Sequence, residues 1–301
     1  MVGALFSLLV IASIAWRVLA VLKPHKDYTE LKQRVRSWWV IIVVFVLAIA
    51  GPTKIKLGFL AFVSFLAFKE YLTLIPTRRA DRRILFWAYL AIPIQYYWIG
   101  IQWYSLFLIW IPVYAFLFLP LRMVTIGETK GFLNAAGTLH WGLMTTVFCL
   151  SHIAYLFMIP LEKNPAGGGP GLVLFVVTLT QLNDVAQYCW GKTLGRHKVI
   201  PKVSPNKTWE GFLGGVLTTT ALCVWLGPYL TPMRYPRSLI IGLVISVGGF
   251  IGDVVISAIK RDLGVKDAGS LLPGHGGILD RVDSLTYTAP LFFHVMKYFY
   301  F

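Results

Sequence analysis

SAIKRDLGVKDAGSLLPGHGGILDRVD, Ser257 to Asp283, is a polar run in a chain that otherwise looks built for lipid. It holds four aspartates (Asp262, Asp267, Asp280, Asp283), four basic side chains and a Pro-Gly-His-Gly-Gly turn at 273–277. Asp253 stands just upstream. Apolar segments flank the run on both sides, so it reads as a loop between two membrane spans. Such a mixture is costly at a membrane surface unless it binds something. Carboxylates beside Lys and Arg suit a metal-bound polyphosphate.

The composition supports the membrane reading. Of 301 residues, 57% are hydrophobic and only 14% charged, against about 25% charged in an ordinary soluble domain. Mean hydropathy is +0.68. Ten apolar segments follow, at 2–22, 38–51, 57–75, 84–101, 103–121, 138–160, 171–190, 210–231, 238–258 and 284–301. The first lacks a basic leading region and reads as a retained span, not a signal peptide. The expected fold class is all-α, a polytopic integral membrane protein of about ten helices.

The charge pattern orients these spans. The net charge is +15, from 28 Lys and Arg against 13 Asp and Glu. Loops 23–37, 76–83, 122–137, 191–209 and 259–283 hold twenty Lys and Arg, and the opposite loops hold five. Cytoplasmic loops are enriched in Lys and Arg, so the first set is assigned to the cytoplasm. The basic excess then reflects topology and attraction to anionic lipid headgroups, and no nucleic acid is expected as a partner. The two most unusual loops, 191–209 and 259–283, fall on that same side. The expected location is a prokaryotic inner or plasma membrane. The N-terminal spans, 1–170, read as a scaffold for packing and lipid access, and 171–301 as the catalytic region.

Other features have plainer readings. Cys149, Cys189 and Cys223 are isolated in apolar stretches, without disulfide or metal-ligand spacing. Asn164 to Gly171, NPAGGGPG, reads as a flexible outer turn, since no Lys-Ser/Thr follows to make a phosphate loop. Lys69-Glu70 interrupts the third span; adjacent residues do not face each other on a helix, so each needs another partner.

Asp253, Ser257 and Lys260 lie at i, i+4 and i+7 and share one helical face. A carboxylate in an apolar helix usually faces a protein interior or a wet cavity. Gly248, Gly249 and Gly252 before it allow close helix packing. Asp280 and Asp283, three residues apart, fall on one side of a helix if one begins there, where a dipole role is the plainer alternative. Together with Asp253 they can hold one or two hard cations, which take carboxylates plus substrate phosphates. Gly274, Gly276 and Gly277 let backbone N–H groups approach an anion. A lone His275 is a weak argument, but beside Lys260, Arg261, Lys266 and Arg281 it joins a phosphate-binding set.

A second polar cluster is Ser204-Pro205-Asn206-Lys207-Thr208-Trp209-Glu210-Gly211. Thr208 suits a helix N-cap, with Glu210 in the first turn. Capping leaves Ser204 and Lys207 unexplained, and both can reach a nucleotide phosphate. Asn183-Asp184 sits inside the seventh apolar run, where an Asp is a functional candidate.

At these residues the sequence resembles the phosphatidate cytidylyltransferase family, the CDP-diacylglycerol synthases. The family's pattern is S-x-apolar-K-R, four residues, K-D-x-small, two residues, then apolar-P-x-H-G-G-apolar-x-D-R-apolar-D. Ser257, Lys260, Arg261, Lys266, Asp267, Gly269, Leu272, Pro273, His275, Gly276, Gly277, Asp280, Arg281 and Asp283 all fit it in spacing. The Ser204 to Gly211 unit and Asp184 resemble two further motifs, so the likeness spans about 180–283. One departure is the run after Asp184. Many bacterial members have Asp-Thr-Gly-Ala-Tyr, where this chain has Asp184-Val185-Ala186-Gln187-Tyr188.

The resemblance implies CTP and phosphatidate as substrates, CDP-diacylglycerol and pyrophosphate as products, and Mg²⁺, with room for a second cation. It implies Asp253 and Asp280 as metal ligands. It implies Lys260, Arg261, Lys266, Asp267, His275 and Asp283 as the catalytic set. Ser204, Lys207, Thr208, Asp184, Gly276, Gly277 and Arg281 are the implied nucleotide-binding set. Membrane lipids are further partners, and a homodimer is an open expectation. The rival readings are a related transferase acting on another lipid phosphate or a polyprenol, and a transporter. Transporters place charge near the midplane on repeated halves, whereas here the polar residues gather at one face without a visible repeat. A CDP-alcohol phosphotransferase would need a D-G-x-x-A-R run, which the chain lacks.

Overall fold

The computed structural model describes residues 2–22, 28–76, 78, 81–269 and 276–301. In chain order the helices are α1 (Val2–Leu22), α2 (Thr29–Ala50), α3 (Thr53–Leu74), α4 (Arg82–Gly100), α5 (Tyr104–Val124), α6 (Phe132–Leu156), α7 (Gly168–Leu194), α8 (Trp209–Leu230), α9 (Arg237–Asp262), the short α10 (Leu279–Val282) and α11 (Leu285–Tyr300). A two-stranded antiparallel hairpin, β1 (Lys198–Ile200) and β2 (Ser204–Thr208), lies between α7 and α8. Among the described residues seven helices, α2, α3 and α5 to α9, are long and apolar enough to cross a bilayer. The chain is an all-α polytopic membrane protein. The other three apolar segments, 2–22, 84–101 and 284–301, are also helical, as α1, α4 and α11.

Backbone groups in lipid must be satisfied internally, so these apolar runs have no alternative to the helix. Their outer faces remain apolar and exposed, as at Phe62, Phe86, Leu117, Leu217 and Trp225. The inner faces carry paired polar groups. On α3 the buried positions Leu60, Ser64, Ala67, Phe68 and Tyr71 follow helical spacing. Ser64 Oγ shares a hydrogen bond with Tyr96 Oη at 2.8 Å, and Tyr96 Oη also donates to Leu60 O. Gln95 Nε2 donates to Phe107 O and Ser151 Oγ. Such bonds join helices inside a bilayer, where packing against lipid gives little preference.

Several boundaries differ from the sequence reading. The second helix starts at Thr29, not 38, because the charged segment before Ser37 is rich in Lys, Arg, Gln and Glu, all good helix formers. The sixth helix starts at Phe132, not 138, after Gly131 turns the chain with φ +69°. The 191–209 loop holds the hairpin, with Lys198 opposite Thr208 and Ile200 opposite Ser204. The Gly-rich turn before α7 is pinned: Asn164 Nδ2 donates to Gly168 O at 2.7 Å and to Leu230 O at 2.9 Å.

The packing of α7, α8, α9 and α11 positions the polar loops. Gly252 is essential to it: a Cβ there would lie 2.7 Å from Asp283 O and 3.1 Å from Ser284 Cα. The missing side chain lets the start of α11 press against α9 beside Asp253.

Candidate active site

Asp253 interrupts the apolar run of α9 and faces β2. Its Oδ2 meets Lys207 Nζ at 2.6 Å, and its Oδ1 accepts from Ser257 Oγ at 3.2 Å. The i to i+4 spacing predicted this second contact. Lys207 also lies over the Phe250 ring, 4.7 Å from the centroid. The hairpin brings Lys207 here, and Arg261 Nε helps hold it by donating to Val203 O at 3.2 Å. Thr208 caps α8 by accepting from Gly211 N at 3.1 Å. Glu210 binds Arg196 N, His197 N and His197 Nδ1, fastening the entry to β1.

About two turns beyond Asp253 on α9, Lys260 reaches Asp280 Oδ1 at 2.7 Å. Asp280 Oδ2 accepts from Ala268 N at 2.8 Å and Gly277 N at 3.0 Å. Asp280 thus ties the backbone at Ala268 and at Gly277 to the start of α10. Gly276 adopts φ +76°, and a Cβ there would lie 2.6 Å from Asp280 Oδ2. A glycine at 276 is needed for the Asp280 carboxylate to approach the backbone there.

Asp184 on α7 accepts from Ser284 Oγ at 3.0 Å. Asp283 is buried and accepts from Ser284 N at 2.7 Å. Burial, then the neighbouring Asp253 and Asp184 carboxylates, push the Asp283 carboxyl well above its usual range. Asp184, Asp253 and Asp283 therefore form one electrostatic group, although they come from three elements.

A cavity of about 210 Å³ opens beside them. It is lined by Asp184, Gln187, Ser204, Asn206, Lys207 and Asp253, with Thr208 and Phe250 among the remaining walls. Gln187 Nε2 is buried without a partner among the described residues, and so is Arg281 Nε nearby. The structure thus gathers Asp184, Ser204, Lys207, Thr208 and Asp253 at one cavity, with Lys260, Asp280 and Asp283 adjoining through α9. It leaves Arg261, Lys266 and Asp267 exposed beside it. Pro273 and His275 lie outside the described residues.

Sequence reasoning missed the wall residues Gln187, Tyr188, Asn206, Phe212 and Phe250, and one residue outside the cavity, Glu70. Glu70 on α3 accepts from Leu279 N at 2.8 Å. Its carboxylate also fills the space where Gly277 lacks a Cβ. A charge inside the third span was the available signal, but not its partner.

The donor types fit a hard divalent cation, since Asp184, Asp253 and Asp283 offer carboxylate oxygens beside a phosphate-sized cavity. Among the described residues no three such side chains stand together at ligating spacing. Lys207 Nζ and Lys260 Nζ occupy the cationic positions on Asp253 and Asp280.

A bundle of spanning helices with a cavity lined by carboxylates and a lysine defines a membrane protein with a polar site. The chain belongs to the cytidylyltransferase family, whose model matches residues 32–299. It is 48% identical over 296 residues to the uncharacterized protein YnbB of Escherichia coli K12, covering 98% of this chain and 97% of that one. It is 40% identical over 152 residues to a phosphatidate cytidylyltransferase of Staphylococcus epidermidis, and 39% over 153 residues to one from Staphylococcus aureus COL. Those two matches cover 49% of this chain and 58% of each relative. The family makes the chain a nucleotidyltransferase.

Proposed function

We propose that this protein is a phosphatidate cytidylyltransferase that forms CDP-diacylglycerol and pyrophosphate from CTP and phosphatidate. The observation that carries this reading is the Lys207–Asp253 pair at the cavity wall, with Asp184 and the capped hairpin beside it. The names of the staphylococcal relatives support the choice of substrates.

A phosphatidate oxygen attacks the α-phosphorus of CTP. The new P–O bond forms as the α–β anhydride bond breaks, and pyrophosphate leaves with the electron pair. The nucleophile is already an anion, so the protein's task is positioning and charge neutralisation. Lys207 moves from Asp253 to a CTP phosphate, with Ser204 and Asn206 beside it. Lys260 moves likewise from Asp280 Oδ1, while Asp280 Oδ2 keeps its bonds to Ala268 N and Gly277 N. Arg261 and Lys266, exposed at the rim, guide the incoming phosphates, and His275 and Arg281 complete that set. Asp253 and Asp280, freed of their lysines, would hold Mg²⁺, with Asp283 and Asp184 in support; the ion would supply charge neutralisation at the phosphate oxygens and the leaving group. The site faces the cytoplasm, where CTP arrives from water and the lipid enters from the side.

The test is CTP-dependent conversion of phosphatidate in detergent micelles, with and without Mg²⁺, using Asp253→Asn as control. Metal-dependent pyrophosphate release with a CDP-lipid product, lost in Asp253→Asn, is the expected result. Competition between phosphatidate and a polyprenyl phosphate in the same assay discriminates the lipid acceptors. Transfer to the polyprenyl phosphate alone would overturn the assignment.

A further inference from the structure

A second basic cavity, of about 620 Å³, lies away from the aspartates between the start of α4 and the end of α5. Its lining is Arg82, Arg83, Ile84, Trp87, Arg122, Thr125 and Ile126. Among the described residues, no acidic side chain pairs with any of these three arginines. Arg78 differs. Its Nε and Nη2 bind both oxygens of Asp81 at 2.6 and 2.9 Å, and its Nη1 donates to Glu128 O and Lys130 O. That residue ties the α3–α4 connection to the loop after α5 and so fixes the two walls. Asp81 is buried and used by Arg78, and among the described residues no other carboxylate forms an ion pair with Arg82, Arg83 or Arg122. Arg122 is held 6.0 Å from the Trp87 ring centroid, and Phe118 packs edge-on against the same ring.

The cavity opens at the end of the bundle that carries the catalytic loop. Glu70, in the last turns of α3, binds Leu279 N, and α4 begins at Arg82 just after the α3–α4 connection. Below the arginines the wall becomes apolar at Ile84 and Trp87, and continues onto the exposed rings Phe86 and Phe118, both edge-on to Trp87. Three guanidinium groups without an acidic partner among the described residues, above an apolar slope, match an anionic phosphate carried on acyl chains. We propose that this cavity is a binding site for an anionic phospholipid headgroup, separate from the nucleotide cavity. The inference rests on the membrane fold and does not depend on the assigned reaction.

The test is native mass spectrometry of the full chain in mild detergent, with phosphatidylglycerol and phosphatidylcholine as probes. The wild type is expected to retain phosphatidylglycerol in preference. An R82Q/R83Q/R122Q variant is expected to hold it about tenfold less tightly or worse, from the loss of charge-assisted phosphate contacts. R122Q alone, which leaves both α4 arginines, provides the same comparison with a smaller loss if the triple variant does not fold. Lys207→Gln, altered in the other basic cavity, is expected to keep the lipid. Equal retention of both lipids would overturn the proposal. So would loss of phosphatidylglycerol in Lys207→Gln with retention in the arginine variants. Displacement of the lipid by equimolar inorganic phosphate would mark a free-phosphate site and overturn the lipid assignment.

Discussion

Glu70 and Leu279, 209 positions apart, are joined by a 2.8 Å hydrogen bond from the Leu279 N–H to the Glu70 carboxylate. This bond fastens the polar loop to a helix of the N-terminal region. It sits where Asp280 also draws in Ala268 N and Gly277 N, so two carboxylates organise one short stretch of backbone. A hydrogen bond to a charged group contributes about 1.5–3 kcal/mol. We expect Glu70→Ala to lower kcat for CMP transfer by roughly 10-fold or more if that energy holds the loop in its productive shape. Glu70→Gln, which keeps an acceptor oxygen, is expected to recover part of the loss. Steady-state kinetics beside thermal unfolding in detergent checks this. A Glu70→Ala enzyme with unchanged kcat would refute the positioning role.

Gly277 and Glu70 are coupled sterically. A Cβ on Gly277 would overlap the carboxylate, so Gly277→Ala should be strongly destabilising. Removing Glu70 makes room for that methyl group. The double variant is therefore expected to be less damaged than the sum of the single changes, by about 0.5–3 kcal/mol, as found for residues in contact. Thermal unfolding of the four proteins in one detergent measures the coupling, and strict additivity would contradict the contact.

Lys207 competes with any cation for Asp253, given the 2.6 Å ion pair. Lys207→Met removes that competitor and also removes a phosphate partner. We expect its Mg²⁺ affinity to rise and its CTP affinity to fall by about tenfold or more, the loss of one charge-assisted hydrogen bond. Calorimetric titration with each ligand separates the two effects. Unchanged CTP affinity would remove Lys207 from the phosphate set.

Much of this arrangement was legible because polar residues are expensive in apolar helices. Asp184 and Asp253 stand out in their spans for that reason, and i to i+4 spacing joined Asp253 to Ser257. The partners chosen by the lysines were not legible. Lys260 shares a helical face with Asp253, yet it pairs with Asp280 while Lys207 takes Asp253. That exchange depends on how closely Gly252 lets Asp283 and Ser284 approach, which is a matter of packing. The hairpin was hidden because Lys198–Ile200 and Ser204–Thr208 are short and mostly polar, without a buried face to impose alternation. Glu70 was visible as a charge in a span, but its partner is a backbone N–H, which leaves no mark in the sequence.

Thr208 joins the hairpin to α8 and is almost wholly buried, at 3% exposure. Its Oγ1 accepts from Gly211 N and lies near the positions where Cβ atoms on Gly191 and Gly195 would be. The side chain therefore caps α8 and packs against the end of α7, fixing the strand that carries Lys207. Replacing an N-cap Thr by Ala costs typically about 1 kcal/mol. Thr208→Ala should lower thermal stability modestly while weakening CTP binding more than that cost implies, because Lys207 loses its fixed approach to the cavity. Thr208→Ser keeps the capping oxygen and is expected to stay close to wild type in both respects. Parallel unfolding and CTP-binding measurements on the two variants decide it. Loss of stability without loss of CTP affinity in Thr208→Ala would confine Thr208 to capping.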